Sequence, residues 1–102
     1  MFSQDESRPF ERVMGCTSKE LISWLTAALP TAALTIDVPR QNCQAAFVDG
    51  ELLIEWAELD PLRIALVRLP RLSVRFTYSG LSTERRRQVQ IGFDRATQRG
   101  GG

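Results

Sequence analysis

Arginine is the residue type in this sequence best suited to binding chemistry. Of the thirteen basic residues, twelve are arginines and one is Lys19. Arginine forms bidentate contacts with carboxylates and phosphates and stacks on flat surfaces. Residues 61–102 hold nine arginines and two acidic residues, whereas residues 1–60 hold ten acidic and four basic residues. This asymmetry is typical either of an anion-binding half or of two halves that neutralise each other within one fold.

Five arginines are the candidate residues for binding an anion or a partner. They are Arg71, Arg75, Arg85, Arg86 and Arg87. The first two lie on the solvent side of a predicted strand, and the other three begin a predicted helix. They form either a basic platform for phosphates or part of an ion-pair lattice with Glu51 and Glu55. We favour the lattice, because the solvent-facing positions lack the aromatic residues on which RNA-binding sheets stack bases.

The sequence offers few of the residues that catalytic sites use. The chain has no histidine, which excludes Ser-His-Asp and Cys-His arrangements. Cys16 and Cys43 are the only cysteines, too few to complete a zinc site. Cys16 is the one plausible nucleophile, because it precedes a predicted helix whose dipole lowers the pKa of a thiol. No partner base is identifiable, so we expect no enzyme activity, no metal and no cofactor.

A helix over residues 18–29 is the first element that the pattern predicts. Thr17-Ser18-Lys19-Glu20 reads as a capping box, in which Thr17 and Glu20 each bond the other's backbone amide. An apolar stripe follows at helical spacing: Leu21, Trp24, Leu25 and Ala28. Pro30 then ends the helix.

A strand is predicted next at residues 34–38. A β-hairpin follows, with its turn at Asp49-Gly50, because this dipeptide is a strong signal for a two-residue turn. This register sets Phe47 opposite Leu52 and Cys43 opposite Trp56. The inward-facing set is then Cys43, Ala45, Phe47, Leu52, Ile54 and Trp56. Turn chemistry and period-two pattern agree in this hairpin.

Residues 60–69 suit either a helix capped by Asp60 or a strand, and we favour the strand because nine residues are few for a helix. In that strand Leu62, Ile64 and Leu66 face inward. A further strand covers 71–78, with Pro70 in the connection and an inward-facing set of Leu72, Val74, Phe76 and Tyr78.

A final helix, capped by Ser82 or Thr83, is predicted through about Thr97. Its buried stripe is Val89, Phe93 and Ala96. A competing strand pattern alternates Val89, Ile91 and Phe93. The caps and the run at 84–87 favour the helix.

These elements predict an α+β domain. A mostly antiparallel sheet of four to five strands has the N-terminal and C-terminal helices packed on one face. Residues 1–12 are interpreted as a flexible N-terminal arm, 13–99 as the domain, and 100–102 as a flexible glycine tail.

Two segments resemble a group of small proteobacterial proteins. They are RIALVRLPRL, residues 63–72, and FDRATQRGGG, residues 93–102. The resemblance supports the final helix and implies no activity.

The function we expect is a small cytoplasmic interaction or regulatory domain that recognises a protein partner or associates with itself through a sheet edge. The strand holding Arg71 and Arg75 is the expected rim of that interface. Nucleic acid or nucleotide binding through the five arginines is the second hypothesis. A carrier with a reactive C-terminal glycine tail is the third. No membrane association is expected, since no apolar run approaches the length of a membrane span.

Overall fold

The computed structural model describes residues 8–101. Along the chain lie β1 (Phe10–Met14), α1 (Ser18–Ala28), β2 (Ala33–Asp37), β3 (Asn42–Phe47), β4 (Gly50–Ile64), β5 (Val67–Ser79) and α2 (Thr83–Gly101). The strands form one antiparallel sheet in the order β1-β5-β4-β3-β2. Both helices cover one face, which we call the helix face, and the other is the open face. The predicted α+β class and the predicted helix positions are confirmed.

The first helix is fixed by its cap. The Glu20 amide donates to the Thr17 hydroxyl at 3.1 Å, and the Thr17 amide donates to the Glu20 carboxylate at 2.9 Å. Each bond satisfies an amide that the first helical turn would leave unpaired. Leu21, Leu25 and Ala28 are buried against the sheet, so the predicted helix is confirmed with its end at Ala28.

The core is centred on Phe76 of β5. Its ring stacks on Phe10 at 5.0 Å between centroids and meets Phe93 of α2 edge-on at 5.1 Å. The inward-facing set predicted for 71–78 is confirmed, since Leu72, Val74, Phe76 and Tyr78 are all buried. Val89 and Phe93 are buried in the stripe predicted for α2.

The predicted turn at Asp49-Gly50 is wrong by one residue. The turn is Val48-Asp49, and Phe47 lies opposite Gly50. Gly50 has a different role: a Cβ there would lie 2.5 Å from the backbone oxygen of Ser79. The true register differs from the predicted one by two residues, which keeps every side chain on its predicted face. Buried as predicted are Cys43, Ala45, Leu52, Ile54 and Trp56, with Phe47 half-buried.

Both predicted flexible ends need correction. Residues 10–12 of the expected N-terminal arm belong to strand β1, which pairs with 72–76 of β5. The expected tail is also shorter than predicted, because α2 continues to Gly101. Residues 1–7 and Gly102 lie outside the described part of the chain. With β1 at the edge of the sheet, β5 becomes internal between β1 and β4, so the strand of Arg71 and Arg75 is not a rim.

Residues 60–69 are extended, as favoured, but they do not form a separate strand. They belong to one long β4–β5 hairpin that turns at Ala65-Leu66, between the paired residues Ile64 and Val67. Ala65 adopts a positive φ of 54° to make this turn. The expectation that Leu62, Ile64 and Leu66 face the core is wrong, since all three are exposed.

Candidate interaction surface

The outer part of the β4–β5 hairpin projects from the body of the protein, and we call residues 60–70 the arm. None of these residues is buried. On one side β3 pairs with β4 only as far as Glu55, and on the other β1 pairs with 72–76 of β5. The arm is therefore a two-stranded ribbon with both edges unpaired in the described chain, and it contributes to a longest dimension of 50 Å.

Aliphatic side chains cover one face of the arm. Leu62 lies opposite Leu69, and Ile64 lies opposite Val67. These four side chains are 41–56% exposed, and Leu66 at the tip is fully exposed. Single exposed apolar residues are ordinary, but a contiguous set of this kind marks an interaction site.

The opposite face of the arm is basic. Arg63 and Arg68 lie directly opposite each other on the two strands, and both are exposed. Neither forms an ion pair with another described residue. Because like charges across a strand pair are destabilising, an acidic partner would relieve this contact.

A β-bulge forms the base of the arm. Asp60 and Pro61 on β4 face Pro70 alone on β5, and the register shifts there. Proline has no N–H to give to the ladder. The Arg71 guanidinium donates to the carbonyl oxygen of Asp60 from Nε at 3.0 Å and from Nη2 at 2.8 Å. These two hydrogen bonds from Arg71 stabilise the backbone of the bulge.

Arg75 lies in the middle of the open face. It is opposite Glu11 on β1 and opposite Glu55 on β4. Its Nε is 3.7 Å from a carboxylate oxygen of Glu11. An ion pair is therefore present on this face, but its acidic member is Glu11, which was not predicted, and neither Glu51 nor Glu55 forms an ion pair with a described residue.

The other three candidate arginines lie in the first turns of α2, and each has a local partner. Arg85 contacts Asp49 at 2.9 Å and lies over the ring of Phe47 at 5.6 Å. Hydrogen bonding to Arg85 lowers the pKa of Asp49. Arg86 donates to the Thr83 hydroxyl at 3.2 Å, and Arg87 lies 3.3 Å from Glu84.

The five candidate arginines do not come together into one surface. α2 packs on the helix face through Val89 and Phe93, whereas Arg75 projects from the open face and Arg71 holds the base of the arm. A single basic platform built from all five is absent from the described residues.

The thiol of Cys16 is a poor nucleophile at neutral pH. Cys16 is 2% exposed. Burial, with a smaller contribution from Glu20, raises the pKa of Cys16 to about 11. Desolvation therefore outweighs the helix dipole on which the sequence-based expectation rested. Burial also raises the pKa of Cys43.

Two clefts flank the start of α1. One, of about 420 Å³, lies under the arm between Cys16, Pro61, Pro70 and Leu72. The other, of about 350 Å³, lies between Arg12 and Asp94. Over residues 8–101, no three His, Cys, Asp or Glu side chains converge in a way that would hold a metal ion.

The arm was not among the predicted binding elements, although the sequence carries a signal for it. Pro61 and Pro70 are equally spaced from the turn at Ala65-Leu66, and apolar residues alternate between them with Arg63 and Arg68. Prolines matched across two extended segments indicate one hairpin whose base is interrupted, rather than two strands with a proline connection.

Neither helix in the described part of the chain is long and apolar enough to cross a membrane. Comparison with known proteins adds no relative: no family model, no curated protein and no solved structure matches the chain significantly.

Proposed function

We propose that the protein is a small non-catalytic interaction domain of the cytoplasm and that its arm binds a protein partner. The observation that carries this proposal is the set of exposed aliphatic side chains on the arm: Leu62, Ile64, Leu66, Val67 and Leu69. The two free thiols, both buried, are compatible with a reducing compartment.

The energetics of the arm support binding. Fully burying an aliphatic side chain contributes roughly 1.5–3 kcal/mol. These five side chains are about half-exposed or more, so burying them against a partner would contribute several kcal/mol to the free energy of binding. An isolated two-stranded ribbon is also marginally stable in water. A partner that covers the aliphatic face gains this burial and orders the arm at the same time.

The charges on the arm indicate the character of the partner. Arg63 and Arg68 lack carboxylate partners among the described residues, so a partner that brings apolar side chains to one face of the arm and acidic side chains to its basic face fits best. Nucleic acid fits less well, because Arg75, Arg85 and Arg87 are already paired with carboxylates. The carrier hypothesis also loses support, since α2 continues to Gly101 where an extended tail would be needed.

Site-specific photo-crosslinking in living cells tests the proposal. A photoreactive amino acid at Leu66 is expected to capture a protein, and the same group at Thr26, an exposed position on α1, is the matched control. Capture from Leu66 alone supports the arm as the binding element. Equal capture from both positions, or from neither at native expression, contradicts it.

A further inference from the structure

We propose that the arm binds a second copy of this chain, and that the two copies pair antiparallel along the free edge of β4. This inference rests on the proposed function, since it names the partner of the same arm. It predicts a closed two-fold dimer whose sheet continues from one copy into the other.

The free edge of β4 begins where β3 ends. The Trp56 amide donates to the carbonyl oxygen of Gln41 at 3.0 Å, and Trp56 therefore points its backbone groups toward β3. Because backbone groups alternate along a strand, those of Glu58 point the same way, beyond the end of β3. Residues 57–64 have no strand beside them on that side within the described chain.

The far end of the edge is fixed by the turn. Ile64 and Val67 flank the two-residue turn, and such a closing pair is hydrogen-bonded. Ile64 therefore directs its backbone groups to β5, and Arg63 directs its own to the free side. Glu58 and Arg63 are thus two charged residues of β4 whose backbone N–H and C=O groups point to the free edge, where a second strand could bind them.

A two-fold axis between Asp60 and Pro61 makes this edge complementary to itself. It sets Glu58 of each copy opposite Arg63 of the other, as a pair joined by backbone hydrogen bonds. Within one copy, neither side chain forms an ion pair with a described residue. In the dimer the like-charge contact of Arg63 and Arg68 acquires an opposing carboxylate, and this occurs twice.

The apolar side chains agree with the same register. Leu59 of each copy lies opposite Leu62 of the other, and Ala57 lies opposite Ile64. The bulge shifts the alternation of β4 by one residue, which puts Leu62 and Ile64 on the same face as Ala57 and Leu59. Apart from Asp60 and Pro61 at the axis itself, the cross-copy pairs therefore match apolar with apolar or acid with base.

The size of the edge limits how the copies assemble. Eight residues at about 3.3 Å each give an edge of roughly 26 Å. Pro61 lies at the axis and has no N–H, so the ladder divides into two short segments of three residues. The tip of the second copy ends at the β2–β3 turn, where Val38 is 55% exposed. Because the β2–β3 turn ends the paired edge in this way, a reversible dimer is favoured over an open fibre.

Charge reversal with sedimentation velocity tests the register. Glu58→Arg and Arg63→Glu are each expected to weaken dimerisation of the full chain about tenfold, because each puts like charges opposite each other twice. The double variant restores the pairs with their signs exchanged, and we expect its dimerisation constant within about threefold of the original. Glu51→Arg, on the open face away from the arm, is the matched control and leaves dimerisation unchanged.

The outcomes separate this inference from the proposed function. A chain that stays monomeric up to about 1 mM overturns the dimer, and crosslinks from Leu66 to a different protein then preserve the arm as a binding element. A dimer that the double variant fails to restore overturns the register. Glu58 and Arg63 are exposed, so we expect each variant to fold, and circular dichroism checks this.

A mixed disulfide gives a second measurement. Leu59→Cys and Leu62→Cys occupy opposing positions in the non-hydrogen-bonded pair, where side chains approach most closely. Mixing the two single variants under mild oxidation is expected to give a cross-linked heterodimer in preference to either homodimer. Preferential homodimers would contradict the register independently of the charge series.

Discussion

Arg12 on β1 and Asp94 on α2 form an ion pair that ties the edge of the sheet to the last helix. The Gln90 amide donates to the same carboxylate oxygen at 3.0 Å, and the Tyr78 hydroxyl donates to Gln90 at 2.7 Å. The Arg12 guanidinium also lies 5.7 Å from the centroid of Phe76. One polar chain thus links three elements above the centre of the core.

Asp94→Ala is expected to lower the free energy of unfolding by about 1–2 kcal/mol, because it leaves Arg12 and Gln90 without their acceptor. Urea unfolding followed by circular dichroism measures this change. Hydrogen exchange should show the greatest loss of protection at β1, since the ion pair anchors that edge strand. Asp94→Asn is the control that keeps an acceptor for Gln90. Unchanged protection at β1 in Asp94→Ala would show that the pair does not anchor the strand.

Gly50→Ala and Gly92→Ala are expected to change stability in opposite directions. A Cβ at Gly50 meets the backbone oxygen of Ser79 at 2.5 Å and the backbone nitrogen of Leu81 at 2.8 Å, which side-chain rotation cannot relieve. We expect a loss of roughly 3 kcal/mol. A Cβ at Gly92 on α2 meets nothing within 4 Å, and alanine there should stabilise the helix by roughly 0.5–1 kcal/mol. Thermal unfolding compares the two, and equal effects would contradict the close approach at Gly50.

Stability is expected to fall in alkaline solution. Burial raises the pKa of Cys16 from 9.0 to about 11 and raises the pKa values of Cys43 and Tyr78 from 9.0 and 10.0. The folded state therefore holds protons that the unfolded state releases above about pH 9. The stability contributed by these groups is complete below that pH and is lost as the pH rises through their raised pKa values.

Urea titrations at about pH 7.5, 9 and 10.5 measure this loss. Cys16→Ser and Tyr78→Phe each remove one titrating group or move it out of range, so both should flatten the dependence on pH. A free energy of unfolding that stays constant to about pH 10.5 would contradict the burial of all three groups.

The body is expected to fold without the arm. Leu59 and Arg71 are paired across β4 and β5, so Asn-Gly in place of residues 60–70 closes the hairpin with a favourable two-residue turn. None of the removed residues is buried. We expect a melting temperature within about 5 °C of that of the full chain, together with loss of partner binding. A chain that unfolds on this replacement would show the arm to be part of the core.

The sequence predicted the helices and the face of each core strand because their signals are local. The capping box at Thr17 and the period-two pattern around Phe76 need only neighbouring residues. Strand β1 was missed, since Phe10, Arg12 and Met14 become a strand only through pairing with residues far along the chain. The turn at Gly50 was misplaced for the same reason: the glycine is required by the approach of Ser79, not by the turn.

The exposure of the arm was not predicted, for a different reason. Alternation of Leu62, Ile64 and Leu66 was interpreted as burial, because period-two patterns usually mark a strand with one face in the core. A ribbon that binds a partner carries the same pattern. The spacing of Pro61 and Pro70 was the better indicator of its exposure.

The pairing of β1 with β5 also sets the order in which the native contacts can form. β2, β3, β4 and β5 follow one another as hairpins, with short loops and a small entropic cost of closure. β1 must wait for a partner roughly sixty residues away, and its anchor Asp94 is later still. On a ribosome, β1 is therefore synthesised before the other described strands and placed after them, and until then the edge of β5 is open to pairing with other chains.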